Sequence, residues 1–290
     1  MNPWIIASRP KTLTAAISPV ILGSSLAYYD GYFNIITFIV IIGAASLIQI
    51  GTNFSNDFFD YIKGADNQDR LGPDRVLQKK LLSKTQIIRA ISIVFVMAII
   101  FGCYLAYIGG WPIVLVGLLS IFFGIIYTGG PYPLAYNGLG DIFVFIFFGL
   151  VAVSGTYYLH TGCISTNAII LGISTGTMAT AILVVNNLRD INNDRACGKK
   201  TLAVYLGERF TKIEYLFLIT AAYIIPIYIS YIMGNKSSIY IVYFTLPISI
   251  RLILEVFFQK GSNLNKTLEK TAKLLLLYTI LFSFGIIVCK

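Results

Sequence analysis

The chain has 290 residues, is 57% hydrophobic and only 12% charged, and has a mean hydropathy of +0.78. A soluble globular protein carries about 25% charged residues, so this composition excludes one and defines an integral membrane protein. The net charge of +9 does not point to nucleic acid, because the Lys and Arg residues sit in short connections between apolar runs.

Spanning a bilayer as a helix takes about 20 mostly apolar residues. Nine runs qualify, at 13–29, 33–57, 85–108, 111–128, 139–159, 165–188, 213–233, 237–257 and 271–288. The first and fourth are short. The expected fold is therefore all-α, with about nine transmembrane helices in one domain over residues 1–290. The N-terminal stretch has no basic region ahead of a cleavable apolar segment, so no signal peptide is expected. Of the 22 Lys and Arg residues, all but Lys236, Arg251 and Lys290 fall in or beside connections on one side. The positive-inside rule makes that side cytoplasmic, with the N-terminus there and the C-terminus outside.

Taken in chain order, the second run ends in a polar cluster containing Asn53, Asn56, Asp57 and Asp60. Asn56 and Asp60 are four apart, as are Asn53 and Asp57, so each pair stacks on one helix face about 6 Å apart along the axis. A basic connection follows, over about 61–84, carrying Asp66, Arg70 and Arg75. Next, the segment from Tyr127 through Tyr132 and Tyr136 to Asp141 is rich in Gly, Pro and Tyr and holds no Lys or Arg. Pro stiffens a chain, Gly permits sharp bends and a ring face can stabilise a cation, so this segment reads as the shaped wall of a site.

The sixth run ends in a second cluster of matching spacing, with Asn186, Asp190 and Asp194, and its own basic connection follows over about 189–212 with Lys199 and Lys200. Asn56 and Asp60 align with Asn186 and Asp190 at an offset of 130 residues, which resembles a weak parallel repeat with a site between its halves. Magnesium takes hard oxygen ligands and commonly combines one or two carboxylates with waters and substrate phosphate oxygens. Two acidic faces of this kind, each beside a basic loop, point to a magnesium–diphosphate site. Arg70, Arg75, Lys199 and Lys200 are the candidates for the diphosphate's counter-charge.

The four cysteines are scattered without CxxC or Cys/His spacing, which supports neither zinc nor a disulfide framework. His160 is the only histidine, leaving little for histidine-based acid–base chemistry. A transporter would place its charges nearer the bilayer midplane than at helix ends.

These blocks resemble the UbiA superfamily of intramembrane aromatic prenyltransferases. The resemblance runs through Arg9-Pro10-Lys11-Thr12, the stretch from Gly51 to Asp66, Arg70-Leu71-Gly72-Pro73, the segment from Tyr127 to Asp141, and the long block from Asn186 to Val204. Within the superfamily the pattern is most like the branch that prenylates 1,4-dihydroxy-2-naphthoate. Two departures bear on this. Many members carry a third acid four residues after the position of Asp60, where this chain has Gly64 and then Asp66. Many, including hydroxybenzoate enzymes, carry Tyr-x-x-x-Lys where this chain has Tyr132 followed by Tyr136, which favours the naphthoate branch over the hydroxybenzoate one.

The resemblance implies a helical bundle around a central cavity open to the cytoplasmic side of a bacterial inner membrane. It implies a polyprenyl diphosphate donor, 1,4-dihydroxy-2-naphthoate as acceptor, Mg2+ as cofactor and lipid as surroundings. Metal ligation falls to Asn56, Asp60, Asn186, Asp190 and Asp194. Catalytic roles fall to Asp57, Asp60, Asp190, Asp194 and Tyr132, and substrate binding to Asp66, Arg70, Arg75, Lys199 and Lys200.

Overall fold

A computed structural model describes residues 2–66 and 70–290, and among them there is helix and loop but no strand. A short helix α1 (Pro3–Ser8) leads into α2 (Pro10–Tyr29), α3 (Ile35–Ile62), α4 (Lys84–Gly109) and α5 (Trp111–Ile126). The fifth span is one continuous run in three parts: α6 (Gly140–Phe145), a π-helical turn (Ile146–Val151) and α7 (Ala152–Thr161). Then come α8 (Thr166–Ala196), α9 (Leu202–Ile232), a 3₁₀ stretch (Ser237–Thr245) leading into α10 (Leu246–Phe258), and α11 (Leu264–Val288). All nine apolar runs are helical. Eight are long enough to cross a bilayer, while α5, with 16 residues, is shorter. At 1.5 Å per residue it rises only about 24 Å, less than a typical hydrocarbon core.

The helices reach further than the apolar runs. Helix α3 continues to Ile62 and α8 to Ala196, so both acidic clusters lie on regular helix. Helix α9 begins at Leu202 and is broken at Gly207, whose φ of 83° belongs to the left-handed region. Hydropathy fails to find these extensions because it sees the membrane and not the backbone.

Helix α8 sits at the centre, and 78% of its most apolar window is buried inside the protein. A buried membrane helix packs best with small side chains at its contacts. Gly149 of the π-turn meets Gly172 and Gly176 of α8 so closely that a Cβ on Gly149 would lie 2.5 Å from the Gly172 carbonyl oxygen. The polar side chains of α8 satisfy themselves along the helix: Ser174 donates to the Leu171 carbonyl at 2.7 Å and Thr180 to the Gly176 carbonyl at 2.8 Å.

Helix α9 contains Pro226, which has no N–H to offer the carbonyl four residues earlier. That carbonyl, on Ala222, instead accepts from the buried Tyr278 hydroxyl of α11 at 2.7 Å. In hydrocarbon a freed carbonyl must find a protein partner, so this bond ties α9 to α11. Replacing Tyr278 with Phe removes only the hydroxyl. Loss of one buried hydrogen bond costs about 1–3 kcal/mol, so Tyr278→Phe is expected to lower the melting temperature of the detergent-solubilised protein by several degrees.

Candidate active site

The polar ends of α3 and α8 run the same way and meet at one end of the bundle, where the Asn193 amide of α8 donates to the Ala65 carbonyl just past α3. The opposite end holds the C-terminus, with the Lys290 ammonium on the Tyr28 carbonyl. Between them lies a cavity of about 720 Å³, lined by Asn56, Asp60, Arg75, Asn186 and Lys199 at the polar end. The rest of its wall is largely apolar. Ile99 of α4 and Val114 and Leu118 of α5 line it while remaining exposed, so the cavity is continuous with the lipid-facing surface.

Successive residues of a helix are about 100° apart, so the two stacked pairs of the first cluster face different neighbours. Asn56 and Asp60 line the cavity, whereas Asn53 and Asp57 face the α1–α2 corner. Asn53 donates to the Ser8 carbonyl and to the Thr12 hydroxyl, both at 2.9 Å. Asp57, 1% exposed, is clamped by Arg9 from that corner and by Arg75 from the loop after α3. Arg9 adopts a left-handed backbone (φ 49°), uncommon for a residue with a Cβ, and this turns its side chain inward onto Asp57.

Arg75 is the hub of the loop. Besides Asp57 it reaches Asp60 at 3.6 Å and Asp66 at 3.4 Å, and Arg70 pairs with Asp66 at 3.0 Å. Burial pushes the Asp66 carboxyl up to about 7, with the charges of Asp60 and Asp57 adding to the rise and Arg70 opposing it. On the α8 side, Arg189 holds both oxygens of Asp190, at 2.9 and 2.5 Å, and also donates to Asn186 at 2.8 Å. Asp194 is buried with its Oδ2 unpartnered, and Lys199 stands 4.0 Å from its other oxygen. Burial works to lower the Lys199 ammonium, but the carboxylates around it, Asp60 foremost, hold it above its usual value.

The loop between α5 and α6 reaches the polar end. The Tyr136 hydroxyl donates to Asp60 at 2.9 Å, and the ammonium groups of Lys63 and Lys199 lie 4.8 and 5.3 Å from its ring centre. Burial and then the neighbouring Asp60 charge raise the Tyr136 phenol well above its usual range. Thr128 donates to the Asn56 amide oxygen at 2.9 Å.

The structure thus brings Asn56, Asp60, Asp66, Arg70, Arg75, Asn186, Asp190, Asp194 and Lys199 to one end of the cavity. It does not bring Tyr132 or Lys200 there. Tyr132 is 61% exposed and lies off the cavity wall, and Lys200 is exposed beside the inward Lys199. The tyrosine that reaches the acids is Tyr136, four residues on, where the superfamily pattern puts lysine. Arg9 and Arg189 also line the cavity and were not among the expected binding residues. Both lie inside the blocks that carry the superfamily resemblance, but a topogenic arginine and an ion-pairing one look alike in sequence.

Among the described residues no three His, Cys, Asp or Glu side chains stand close enough together to hold a metal alone. The donors present are hard oxygens, and Asp194 offers one with no partner. That donor set fits magnesium bound jointly by carboxylates and substrate phosphate, not a closed protein cage.

A helical membrane bundle around a mostly apolar cavity with a charged end defines a protein that handles an amphiphile carrying an anionic head. The chain belongs to the UbiA prenyltransferase family, whose profile matches residues 16–281. It is 33% identical to a 1,4-dihydroxy-2-naphthoate octaprenyltransferase of Haemophilus influenzae, over 99% of this chain and 96% of that protein. It is 39% identical to the protein of the same description from Escherichia coli K12, over 71% of this chain and 68% of that one. In fold it matches a UbiA homolog from Archaeoglobus fulgidus bound to GPP and Mg2+, with a TM-score of 0.69 at 14% identity over 99% of both chains.

A hydrogen bond to a charged group contributes about 1.5–3 kcal/mol. Tyr136→Phe is therefore expected to reduce turnover about 10- to 100-fold, whereas Tyr132→Phe should leave it within about twofold. Initial rates of the two variants check this.

Proposed function

We propose that this protein transfers a polyprenyl group from polyprenyl diphosphate to 1,4-dihydroxy-2-naphthoate, with loss of the ring carboxylate as carbon dioxide, giving demethylmenaquinone. The observation that carries this reading is the similarity, over 99% of the chain, to a naphthoate octaprenyltransferase. The cavity supports it independently, because an apolar tunnel continuous with lipid and ending in acids and guanidinium groups matches a long prenyl tail with a diphosphate head.

Roles follow from position. Arg9, Arg75, Arg189 and Lys199 line the polar end and take the diphosphate oxygens. Asp60 and Asp194 would hold magnesium, with the Asn56 and Asn186 amides and Asp190 beside them. The fold relative bound to GPP and Mg2+ supports the use of magnesium with a prenyl diphosphate. Magnesium, when bound, neutralises charge on the diphosphate and makes it a better leaving group. Asp57 and Asp66 hold Arg9, Arg70 and Arg75 in place. Tyr136 orients Asp60, and Thr128 orients Asn56. The apolar wall shelters the allylic cation that forms as the carbon–oxygen bond breaks. The acids lie at the end where basic residues concentrate and opposite the C-terminus, which supports a site facing the cytoplasm of a bacterial inner membrane.

Purified protein incubated with magnesium, a polyprenyl diphosphate and 1,4-dihydroxy-2-naphthoate is expected to yield prenylated, decarboxylated naphthoquinol by mass, and none with 4-hydroxybenzoate in a parallel tube. Product only from hydroxybenzoate would overturn the acceptor and keep the donor site. Asp60→Ala and Asp194→Ala should each reduce turnover by at least about 100-fold while the protein stays monodisperse in detergent. Near-normal rates in both would refute the metal assignment.

A further inference from the structure

One carboxylate on the cavity wall has no part in the charge network. Asp141 stands in the first turn of α6, is 6% exposed, lines the cavity, and its Oδ1 is buried with no hydrogen-bond partner. An acid in such a place is costly to the fold, and an unpartnered buried polar atom calls for an explanation. No Lys or Arg pairs with Asp141 among the described residues, unlike the acids at the diphosphate end. Tyr127 packs between the two regions: its hydroxyl lies 2.9 Å from where a Cβ on Gly140 would sit.

Part of the same cavity wall is aromatic. Phe123, Phe143 and Phe147 all line the cavity, with the Phe123 ring 4.8 Å from that of Phe143 and 5.4 Å from that of Phe147. Ring faces accommodate a flat aromatic acceptor and stabilise an allylic cation. The Asp141 carboxylate belongs to the same cavity wall, and a carboxylate accepts a hydrogen bond from a ring hydroxyl.

Resting on the prenyl-transfer reading above, we infer that Asp141 is the catalytic base for the acceptor, binding the ring hydroxyl beside the carboxylate-bearing carbon and taking its proton. The carboxylate-bearing ring carbon forms the new bond to the allylic carbon. The allylic carbon–oxygen bond breaks, and its electron pair leaves with the diphosphate. The hydroxyl proton passes to Asp141 and the ring oxygen becomes a ketone. The adjacent carboxylate then departs as carbon dioxide, its bond pair restores the aromatic ring, and Asp141 returns the proton to the oxygen. The proton is borrowed, so no further reactant is needed.

The test compares wild type, Asp141→Asn and Asp141→Glu in detergent with magnesium, a polyprenyl diphosphate and either phenol. Rates are read by mass, and donor binding by the thermal shift that the prenyl diphosphate produces. The inference predicts a fall in kcat of about 100-fold or more for Asp141→Asn, an unchanged donor-induced shift, and partial activity in Asp141→Glu. A rate for Asp141→Asn within threefold of wild type would overturn it. So would a loss of donor binding in step with rate, or an Asp141→Glu protein that is folded and as inactive as Asp141→Asn. Wild type that makes no product with either phenol would overturn the prenyl-transfer reading itself. Wild type that prenylates only hydroxybenzoate would refute the inferred decarboxylation step together with the naphthoate acceptor.

Discussion

The polar end of this bundle depends on matching buried charge. Asp57, Asp60, Asp66, Asp190 and Asp194 are all buried, and each stands next to a guanidinium or ammonium group. Leaving one buried charge unpaired costs about 3–5 kcal/mol, a large share of what holds a typical domain together. Arg75 is therefore tied to α3 as a counter-ion of Asp57 and Asp60, and Arg70 pairs with Asp66 just past that helix. The same pairing keeps the guanidinium groups at the cavity rim before any diphosphate arrives. Arg189 shows the principle most plainly, since it covers both oxygens of Asp190 and stands on the cavity wall.

The apolar part of the molecule follows from the absence of water in the bilayer core. Ser174 and Thr180 bond back to their own helix, and the Ala222 carbonyl freed by Pro226 finds the Tyr278 hydroxyl. Small residues let the π-turn approach α8 closely at Gly149, Gly172 and Gly176. A π-turn changes which side chains of a helix face inward, and here Phe147 and Phe148 of that turn both line the cavity.

Much of this was legible in the chain. Apolar runs gave the spans, because a bilayer demands length and apolarity and little else. The i, i+4 spacing placed Asn56 with Asp60 and Asn186 with Asp190, because helical period is a local property. What spacing does not carry is which of two stripes faces the site. Asp57 lies about 100° around the helix from Asn56 and serves Arg9 and Arg75, and only the packing of α1 and α2 against α3 decides that. Loop residues are harder still. Lys199 turns in and Lys200 turns out because the Lys200 N–H bonds to the Tyr136 carbonyl, a contact across 64 residues. The same long-range fold of the α5–α6 loop delivers Tyr136 to Asp60 and leaves Tyr132 outside.

The central claim is that carboxylates and guanidinium groups at one end of the cavity bind a prenyl diphosphate jointly with magnesium. Calorimetric titration of geranyl diphosphate into the purified protein tests it most directly, with magnesium present, after chelation, and with magnesium restored. The account predicts saturable binding that is lost or severely weakened on chelation and recovered with magnesium, and that stays weak throughout in an Asp60→Ala, Asp194→Ala double variant. Binding of equal affinity in all of these would contradict it.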